Sequence, residues 1–207
     1  MARKKAYQRH EILEKISHVF LTKGYESTSL ADLMAETGLN KKSLYNEFGH
    51  KEALFLVVLQ DYIEKESASL QPILLAKPGG ISNIKRFFLH LADKFLETGC
   101  LLTLSLNEAS CISDDALDLI NQTLLSLESG FKHNLQAERV FSDEQVRFFA
   151  RNILALMQGI TSLTRSEKLR EGNIDAALNF LDWLLVSTVK ASDEKGRSKR
   201  LDEKEIT

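Results

Sequence analysis

The sequence predicts an all-α protein of about nine helices, and three observations support this fold class. Apolar residues recur every three to four positions through most of the chain from Gln8 to Val189. The 207 residues include only 2 prolines, the residue that most strongly interrupts helices. Capping residues and glycines stand where one periodic stretch ends and the next begins. We therefore expect an N-terminal three-helix domain that is followed by a larger helical domain.

The first two predicted helices lie near the N-terminus. The first spans about 8–23 with its apolar residues on one face, and Gly24 follows as a natural C-terminal stop. The second begins after Ser29, which forms an approximate capping box with Asp32, and it ends near Glu36. Because each helix has an apolar face, we expect the two to pack against each other.

A tight turn and a short polar helix come next. Gly38 can take the positive φ that such a turn needs, and Asn40 can cap the helix Lys41–Phe48. Leu44 and Phe48 lie four residues apart and are expected to face the core. A helix, a short turn that contains glycine and a second short helix are together the signature of a helix-turn-helix.

The remaining helices are separated by recognisable caps and loops. Ser113, Ser142 and Asn173 are predicted N-caps, and Lys77–Gly80 is the clearest loop. From Lys190 onward the chain is almost wholly polar, which predicts a disordered tail. The predicted helices cover about 50–69, 81–98, 101–110, 114–137, 142–165 and 173–189. We expect three regions, which are a first domain 1–51, a second domain 52–189 and a charged tail 190–207.

Charge is unevenly distributed along the chain. The first 51 residues hold nine Lys or Arg and six Asp or Glu, a net charge of +3, whereas the remainder has a net charge of −5. A basic head on an acidic body is typical of a polyanion-binding module joined to another domain. Arg3, Lys4 and Lys5 are expected to form an arm that follows a nucleic-acid backbone or enters a minor groove.

The sequence contains no pattern that predicts a membrane span, a secretory signal or a catalytic site. No apolar run is long enough to cross a membrane, and no apolar stretch follows the basic start, so we expect a cytoplasmic protein. The five histidines are scattered without metal-ligand spacing, and no Ser/His/Asp or Cys/His arrangement is present. We therefore expect neither an enzyme nor a bound cofactor or metal.

The two cysteines, Cys100 and Cys111, leave two interpretations open. Their spacing is not CxxC, so neither a disulfide scaffold nor a zinc site is expected. If the sixth helix is continuous, they lie about 16 Å apart along its axis, which is too far for a disulfide. They are then either small buried residues or a sensor in which Cys100 reacts with an oxidant or an electrophile.

The outer face of the helix Lys41–Phe48 is polar. A helix this short must be held by its apolar residues against the first two helices. Its outer side chains can bond to phosphate oxygens or base edges, and in a major groove such a helix reads bases with its N-terminal half. The alternative is a solvated three-helix unit without a ligand. The polar residues are Lys41, Lys42, Ser43, Tyr45 and Asn46.

The segment from Gly24 to Leu54 resembles the N-terminal signature of the TetR family of bacterial repressors. Its most specific parts are Gly24-Tyr25 before the second helix, the turn at Gly38, and the pattern Leu-Tyr-x-x-Phe-x-x-Lys-Glu-x-Leu at 44–54. The resemblance is strong over about 9–58 and generic beyond about residue 61.

The resemblance implies DNA contacts for matching positions. Tyr45 and Lys51 would contact phosphates, and Thr28 would approach the backbone. Two residues depart from the family pattern. Lys42 replaces a small residue and would reach a guanine edge or a phosphate, whereas the acidic Glu47 would accept from a cytosine or pair with a lysine. The expected DNA-binding residues are Thr28, Lys41, Lys42, Ser43, Tyr45, Asn46, His50 and Lys51.

The resemblance also implies a homodimer and an effector pocket in the second domain. The family dimerises through its last two long helices, where Met157, Ile160, Leu163, Leu181, Leu184 and Leu185 would form either the interface or the core. An apolar, aromatic or thiol-reactive small molecule would bind among helices 5 to 8. The candidate lining residues are Phe87, Phe88, Leu91, Phe95, Cys100, Leu104, Asn107, Glu108, Phe131 and Phe149.

These expectations together describe a ligand-responsive regulator of transcription. It would act as a repressor that a small molecule releases from a palindromic double-stranded DNA operator. The alternative is a helical adaptor that binds other proteins without specific DNA recognition. Binding to a discrete DNA site against excess random DNA distinguishes the two.

Overall fold

The computed structural model describes residues 2–95 and 99–186, with only the backbone for 2–8 and for 170. Every regular element in these ranges is a helix, which confirms the all-α fold class. The predicted tail 190–207 and the end of the predicted helix 81–98 lie outside the described residues. The helices are α1 (Ala2–Lys23), α2 (Leu30–Thr37), α3 (Lys41–Phe48), α4 (Lys51–Leu74), α5 (Ile81–Phe95), α6 (Leu101–Asn107), α7 (Asp114–Ala137), α8 (Asp143–Leu163), α9 (Glu167–Arg170) and α10 (173–186).

Helices α1, α2 and α3 form the predicted helix-turn-helix unit. Ser29 and Asp32 form a reciprocal capping box at the start of α2, and the Asn40 side chain accepts from the Ser43 amide at 2.9 Å at the start of α3. Gly38 ends α2 at φ 71°, in the left-handed region that the turn was predicted to need. Local capping and the turn glycine therefore determine the geometry of the unit.

Two helix ends differ from the sequence prediction, and burial explains the first. Helix α4 continues past Pro72 to Leu74 because Leu70 and Leu74 are buried against the body, and their burial offsets the hydrogen bond that Pro72 cannot donate. Helix α6 ends at Asn107 rather than near residue 110, since a turn follows. The two cysteines therefore do not lie on one continuous helix.

The N-terminal end of α1 and the cap of α10 also differ from the prediction. Helix α1 begins at Ala2, so the basic residues 3–5 belong to a helix and not to an extended arm. At the start of α10 the carbonyl of Gly172 accepts from the Ala176 amide at 2.9 Å. The Asn173 amide instead donates to the Leu169 carbonyl, so Asn173 is not the predicted cap.

A buried carboxylate joins α7 to α8, which pack side by side. Glu128 on α7 is only 2% exposed, and its oxygens lie 2.6 Å from Lys132 Nζ and 2.8 Å from Arg151 Nε. Burial acts to raise the pKa of Glu128, but the two cations outweigh it and hold that pKa below its usual 4.5. The carboxylate is therefore charged in the folded protein near neutral pH.

A second buried polar group fixes the α4–α5 loop. Asn134 on α7 is fully buried, and its carbonyl oxygen accepts from the Gly80 amide at 3.0 Å and from Asn83 Nδ2 at 2.9 Å. Its amide donates to the carbonyls of Leu74 at 2.8 Å and Gly130 at 2.9 Å. Three of these four bonds, those to Leu74, Gly80 and Asn83, hold the end of α4 and the start of α5 against α7.

Candidate nucleic-acid interface and effector cavity

The polar side chains of α3 all lie on the outside of the protein. Lys41, Lys42, Ser43 and Asn46 are exposed, and Tyr45 has 40% of its surface exposed. On the opposite face of α3, two apolar side chains are buried against α1 and the other helices of the unit; these are Leu44 and Phe48. We call the outward-facing residues Lys41, Lys42, Ser43, Tyr45 and Asn46 the α3 surface. Because the buried inner face anchors this short helix, the α3 surface is directed toward solvent.

Neighbouring side chains support the edges of the α3 surface. Lys41 Nζ lies 5.4 Å from the centre of the Tyr45 ring, a cation–π contact that orients both groups. His50 is exposed and caps α4, since its Nδ1 accepts from the Ala53 amide at 3.2 Å. Lys51 is half-buried, with its Nζ 3.2 Å from the Glu26 carbonyl and 4.5 Å from the centre of the Tyr25 ring. Lys51 therefore also holds the turn before α2.

Two polar residues of the helix-turn-helix unit, Thr28 and Glu47, have partners within the unit. Thr28 is 2% exposed, and its hydroxyl donates to the Gly24 carbonyl at 2.6 Å. The Thr28 side chain is therefore buried, whereas the expected approach to a DNA backbone needs an exposed one. The Glu47 carboxylate lies 3.5 Å from Arg9 Nε on α1, so an arginine is one of its partners. This ion pair ties α3 to α1.

A cavity of about 640 Å³ lies between α4, α5, α7 and α8, with the start of α6 at one edge. Four of the ten expected ligand residues line it, namely Phe87, Leu91, Phe95 and Cys100. The two cysteines are free thiols, each half-buried. The aromatic face of α5 therefore contributes to the cavity as the sequence indicated.

The other expected ligand residues have different surroundings. Phe88 and Phe131 are fully buried in the core, and the Phe131 ring packs edge-on against Phe87 at 5.2 Å. Phe149 packs against Phe141 and Phe148, which lie outside the cavity lining. The remaining three, which are Leu104, Asn107 and Glu108, are on α6 or its end and likewise do not line the cavity.

Most of the cavity wall comes from positions that sequence reasoning did not select. Helix α4 contributes a long face, and α7 and α8 contribute several polar side chains. The detectable signal was a set of polar residues on α4 and α7 at positions where the helical period calls for apolar ones. The lining residues missed by the sequence include Tyr62, Glu66, Ser67, Leu70, Gln71, Leu74, Thr123, Leu127, Met157, Gln158 and Thr161.

Two ionisable groups of the cavity wall have partners within the protein. The Tyr62 hydroxyl accepts from the Leu101 amide at 3.3 Å, and burial, with the nearby Cys100 and Glu66, raises the pKa of Tyr62 well above 10. The carboxylate of Glu66 lies 2.7 Å from Lys94 Nζ. The wall therefore contains a neutral phenol and a neutralised ion pair.

Glu108 connects the helical body to the helix-turn-helix unit. Its carboxylate accepts from the Tyr25 amide at 2.6 Å and from the Glu26 amide at 3.4 Å, at the turn between α1 and α2. Arg165 at the end of α8 donates to the carbonyls of Leu21 at 3.3 Å and Thr22 at 3.4 Å. Glu108, expected to be a ligand residue, is instead part of the junction between the two regions.

Most of the six residues expected to form either the interface or the core of α8 and α10 lie in the core. Four of the six expected interface residues are buried within this chain, which are Met157, Ile160, Leu181 and Leu184. Leu163 is exposed and Leu185 is half-buried. The large apolar side chains that do face outward on these helices include Phe148 at 63%, Trp183 at 60% and Val186 at 53% exposure.

A stripe of small residues accompanies these exposed side chains. Asn152, Ala155 and Gly159 are exposed on α8 at the three- and four-residue spacing of one helix face. At Gly159 an added methyl group would meet no atom within 4 Å, so this face is open. Two helices can approach closely along such a stripe.

Among the described residues, no helix is long and apolar enough to span a membrane.

The N-terminal residues match a known protein family. Residues 12–58 match the family of bacterial regulatory proteins named tetR. The HTH-type transcriptional repressor ComR of Escherichia coli K12 is 34% identical over 139 residues, which are 65% of this chain and 64% of ComR. The HTH-type transcriptional repressor DhaR of Mycobacterium sp. strain GP1 is 25% identical over 191 residues, which are 90% of this chain and 96% of DhaR. This chain thus spans slightly less than two thirds of ComR and nearly all of DhaR.

Solved structures share the fold over most of the chain. A TetR transcriptional regulator from Chloroflexus aurantiacus has a TM-score of 0.76 at 21% identity, covering 88% of this chain and 96% of that one. The TetR-family regulator CifR, as a cysteine mutant complexed with 26-bp operator DNA, has a TM-score of 0.73 at 20% identity, covering 84% and 95%. At these identities the likeness concerns the fold.

Proposed function

This chain belongs to the TetR family of bacterial regulatory proteins and is a DNA-binding regulator of transcription, and we propose that it is a repressor which a small molecule releases from its operator. The observation that carries the proposal is the α3 surface, where two lysines, a tyrosine and an asparagine face solvent on a helix held by its other face. Such side chains bond to phosphates and base edges.

Within this proposal the α3 surface enters the major groove. Lys42, Ser43 and Asn46 face base edges, whereas Lys41 and Tyr45 bond to phosphates. His50 and the N-terminus of α4 lie beside α3 and approach the DNA backbone, where a helix N-terminus favours an anion. The half-buried Lys51 contributes mainly by holding the turn before α2. We assign DNA binding to residues 1–51 and effector binding with dimerisation to 52–189.

The proposed active form is a homodimer that reads a palindrome. The exposed apolar face of α8 and α10 carries both bulky side chains and a stripe of small ones. The bulky side chains of one copy can therefore pack against the small residues of a second copy. A two-fold dimer would pack Phe148 and Trp183 of one protomer into the open stripe around Gly159 of its partner. The two α3 surfaces would then face successive major grooves of one duplex.

The effector would act through α6. The start of α6 lies at the cavity, and the turn after its end holds the helix-turn-helix unit through Glu108. A bound molecule that favours a different position of α6 would therefore change the distance between the two helix-turn-helix units of the dimer. The proposal assigns no catalytic step to the chain. Because a bacterial regulator must reach chromosomal DNA, we expect it in the cytoplasm.

Selection of bound duplexes from random DNA, followed by binding in rising salt, tests the proposal. A repressor of this type enriches a palindromic sequence with half-sites about one helical turn apart and retains it against excess random DNA. Enrichment of no sequence, with binding that competitor DNA removes completely, would instead support the protein-binding adaptor. Repeating the selection with candidate effectors shows which of them release the site.

A further inference from the structure

The cavity wall is apolar over most of its surface and carries no uncompensated charge. Within the described lining, Glu66 is the only Asp, Glu, Lys or Arg, and its carboxylate already has Lys94 as a partner at 2.7 Å. A charged molecule would lose its hydration without gaining a counter-charge from an unpaired Asp, Glu, Lys or Arg of the described lining, which costs several kcal/mol. The apolar wall includes Leu70, Leu74, Phe87, Leu91, Phe95, Leu124, Leu127 and Met157.

One polar corner of the wall is held in place by a chain of hydroxyl groups. The Thr103 hydroxyl donates to Gln158 Oε1 at 2.6 Å and lies 2.8 Å from the Thr161 hydroxyl. The Thr161 hydroxyl oxygen also lies 3.0 Å from the Met157 carbonyl oxygen. Of the Gln158 amide, only the oxygen takes part in these contacts, and its nitrogen does not.

The nitrogen of that amide has no partner within the protein. Gln158 Nε2 is buried, and among the described residues no acceptor lies at hydrogen-bond distance from it. A buried donor left without an acceptor costs about 1–3 kcal/mol, so proteins rarely retain one. Because Gln158 lines the cavity, a molecule inside the cavity can supply the missing acceptor.

We propose that the cavity binds an uncharged, mainly apolar small molecule whose carbonyl or other oxygen acceptor receives a hydrogen bond from Gln158 Nε2. This inference rests on the proposed effector role of the cavity and specifies its ligand class. The cavity volume of about 640 Å³ lies within the range of small-molecule sites. Thr103 belongs to α6, so the amide that binds the oxygen is bonded to the helix that leads to Glu108.

Three probes of nearly equal shape test the ligand class on the full-length protein. These are 2-acetylnaphthalene, its hydrocarbon counterpart 2-isopropenylnaphthalene, and the anion 2-naphthoate. Titration calorimetry should show the ketone binding about tenfold more tightly than the hydrocarbon, because only the ketone can accept a hydrogen bond from the buried donor. The anion should bind more weakly than the ketone. Equal affinity for ketone and hydrocarbon, binding of none of the three, or tighter binding of the anion would each overturn the inference.

A pair of matched variants locates the hydrogen bond. Gln158→Leu removes the donor at similar volume, and Thr103 keeps its contact with Thr161, so we expect the tenfold preference for the ketone to fall to about one. Gln60→Leu, at an exposed position of α4 outside the cavity lining, should keep the preference. A preference that survives in Gln158→Leu would contradict the assignment of the donor.

Operator binding without any probe separates this inference from the proposed function. If the protein binds a discrete DNA site but does not prefer the ketone, the ligand class is wrong and the repressor proposal remains. If the ketone preference holds but no discrete DNA site is bound, the repressor proposal fails and the cavity assignment remains.

Discussion

The α3 surface and the cavity present polar groups in opposite ways. On the α3 surface, Lys42 and Asn46 are exposed, so their donors are hydrated and available to any anion that approaches. In the cavity, Glu66 is paired with Lys94, and the buried amide nitrogen of Gln158 has no hydrogen-bond partner among the described residues. The first arrangement suits a polyanion, and the second suits a neutral molecule. The two sites should therefore respond to different kinds of substitution.

The largest expected effect is on DNA affinity. Lys41→Ala combined with Lys42→Ala removes two cations from each head of a dimer, which we expect to weaken operator binding about 100-fold or more. The slope of log affinity against log salt should fall by roughly 2, since Lys41 of each protomer contacts a phosphate and each phosphate contact contributes about 0.9. Fluorescence anisotropy on a labelled operator at several salt concentrations measures both quantities.

The matched control removes a cation elsewhere. Lys77 is exposed in the loop between α4 and α5, on the helical body rather than in the helix-turn-helix unit. Lys77→Ala should leave the affinity within about twofold and the salt slope within about one. If Lys77→Ala weakened operator binding as much as the double variant does, the assignment of DNA binding to the α3 surface would be wrong.

The second prediction concerns the junction between the two regions. Glu108→Ala removes the acceptor of the Tyr25 and Glu26 amides, which should destabilise the turn before α2 locally by about 1–3 kcal/mol. Hydrogen exchange of peptides that cover 24–28 should become faster by the corresponding factor. Asn107→Ala, one residue earlier and exposed, should leave this exchange unchanged. Unchanged exchange in Glu108→Ala would show that the two regions are not joined by this carboxylate.

Local signals made the helix-turn-helix unit predictable from the sequence. The capping box at Ser29, the cap at Asn40 and the glycine turn at Gly38 are interactions between residues at most four positions apart. The structure confirms each of them. By contrast, the buried position of Thr28 follows from the way the turn folds back on Gly24, which a list of polar residues does not reveal.

The cavity was only partly predictable because its wall is defined by how helices pack. The apolar period of α5 correctly indicated Phe87, Leu91 and Phe95, but the same period also marked the core residue Phe88. Which apolar side chain meets a void and which meets another side chain depends on the crossing of α4, α7 and α8. The contribution of Gln158 likewise depends on a partner 55 positions away, Thr103.

The third prediction compares stability at two pH values. The pKa of Glu128 in the folded protein is below its usual 4.5, so the charged form contributes stability above that pH, and the contribution is lost as the pH falls through the folded pKa. Glu128→Gln should therefore lower the free energy of unfolding by about 1–2 kcal/mol at pH 7, with the exposure of Lys132 and Arg151 limiting the loss. The difference from the wild type should shrink near pH 3.

Urea unfolding at fixed protein concentration measures this difference. Glu64→Gln, at an exposed position of α4, serves as the control and should change stability little at either pH. A loss in Glu128→Gln that is equally large at pH 7 and pH 3 would show that shape, not charge, accounts for the role of Glu128.

The smallest expected effect is at Asp32, the counterpart of Glu128 in the helix-turn-helix unit. A hydrogen bond from Lys23, followed by those from Ser29, lowers the pKa of Asp32 as well. Asp32 is nevertheless more exposed than Glu128, so water screens its charge, and an asparagine oxygen can still accept from the Ser29 amide. Asp32→Asn should therefore lower the melting temperature less than Glu128→Gln does at pH 7. The reverse order would mean that the head, rather than the body, depends more strongly on a charged carboxylate for its stability.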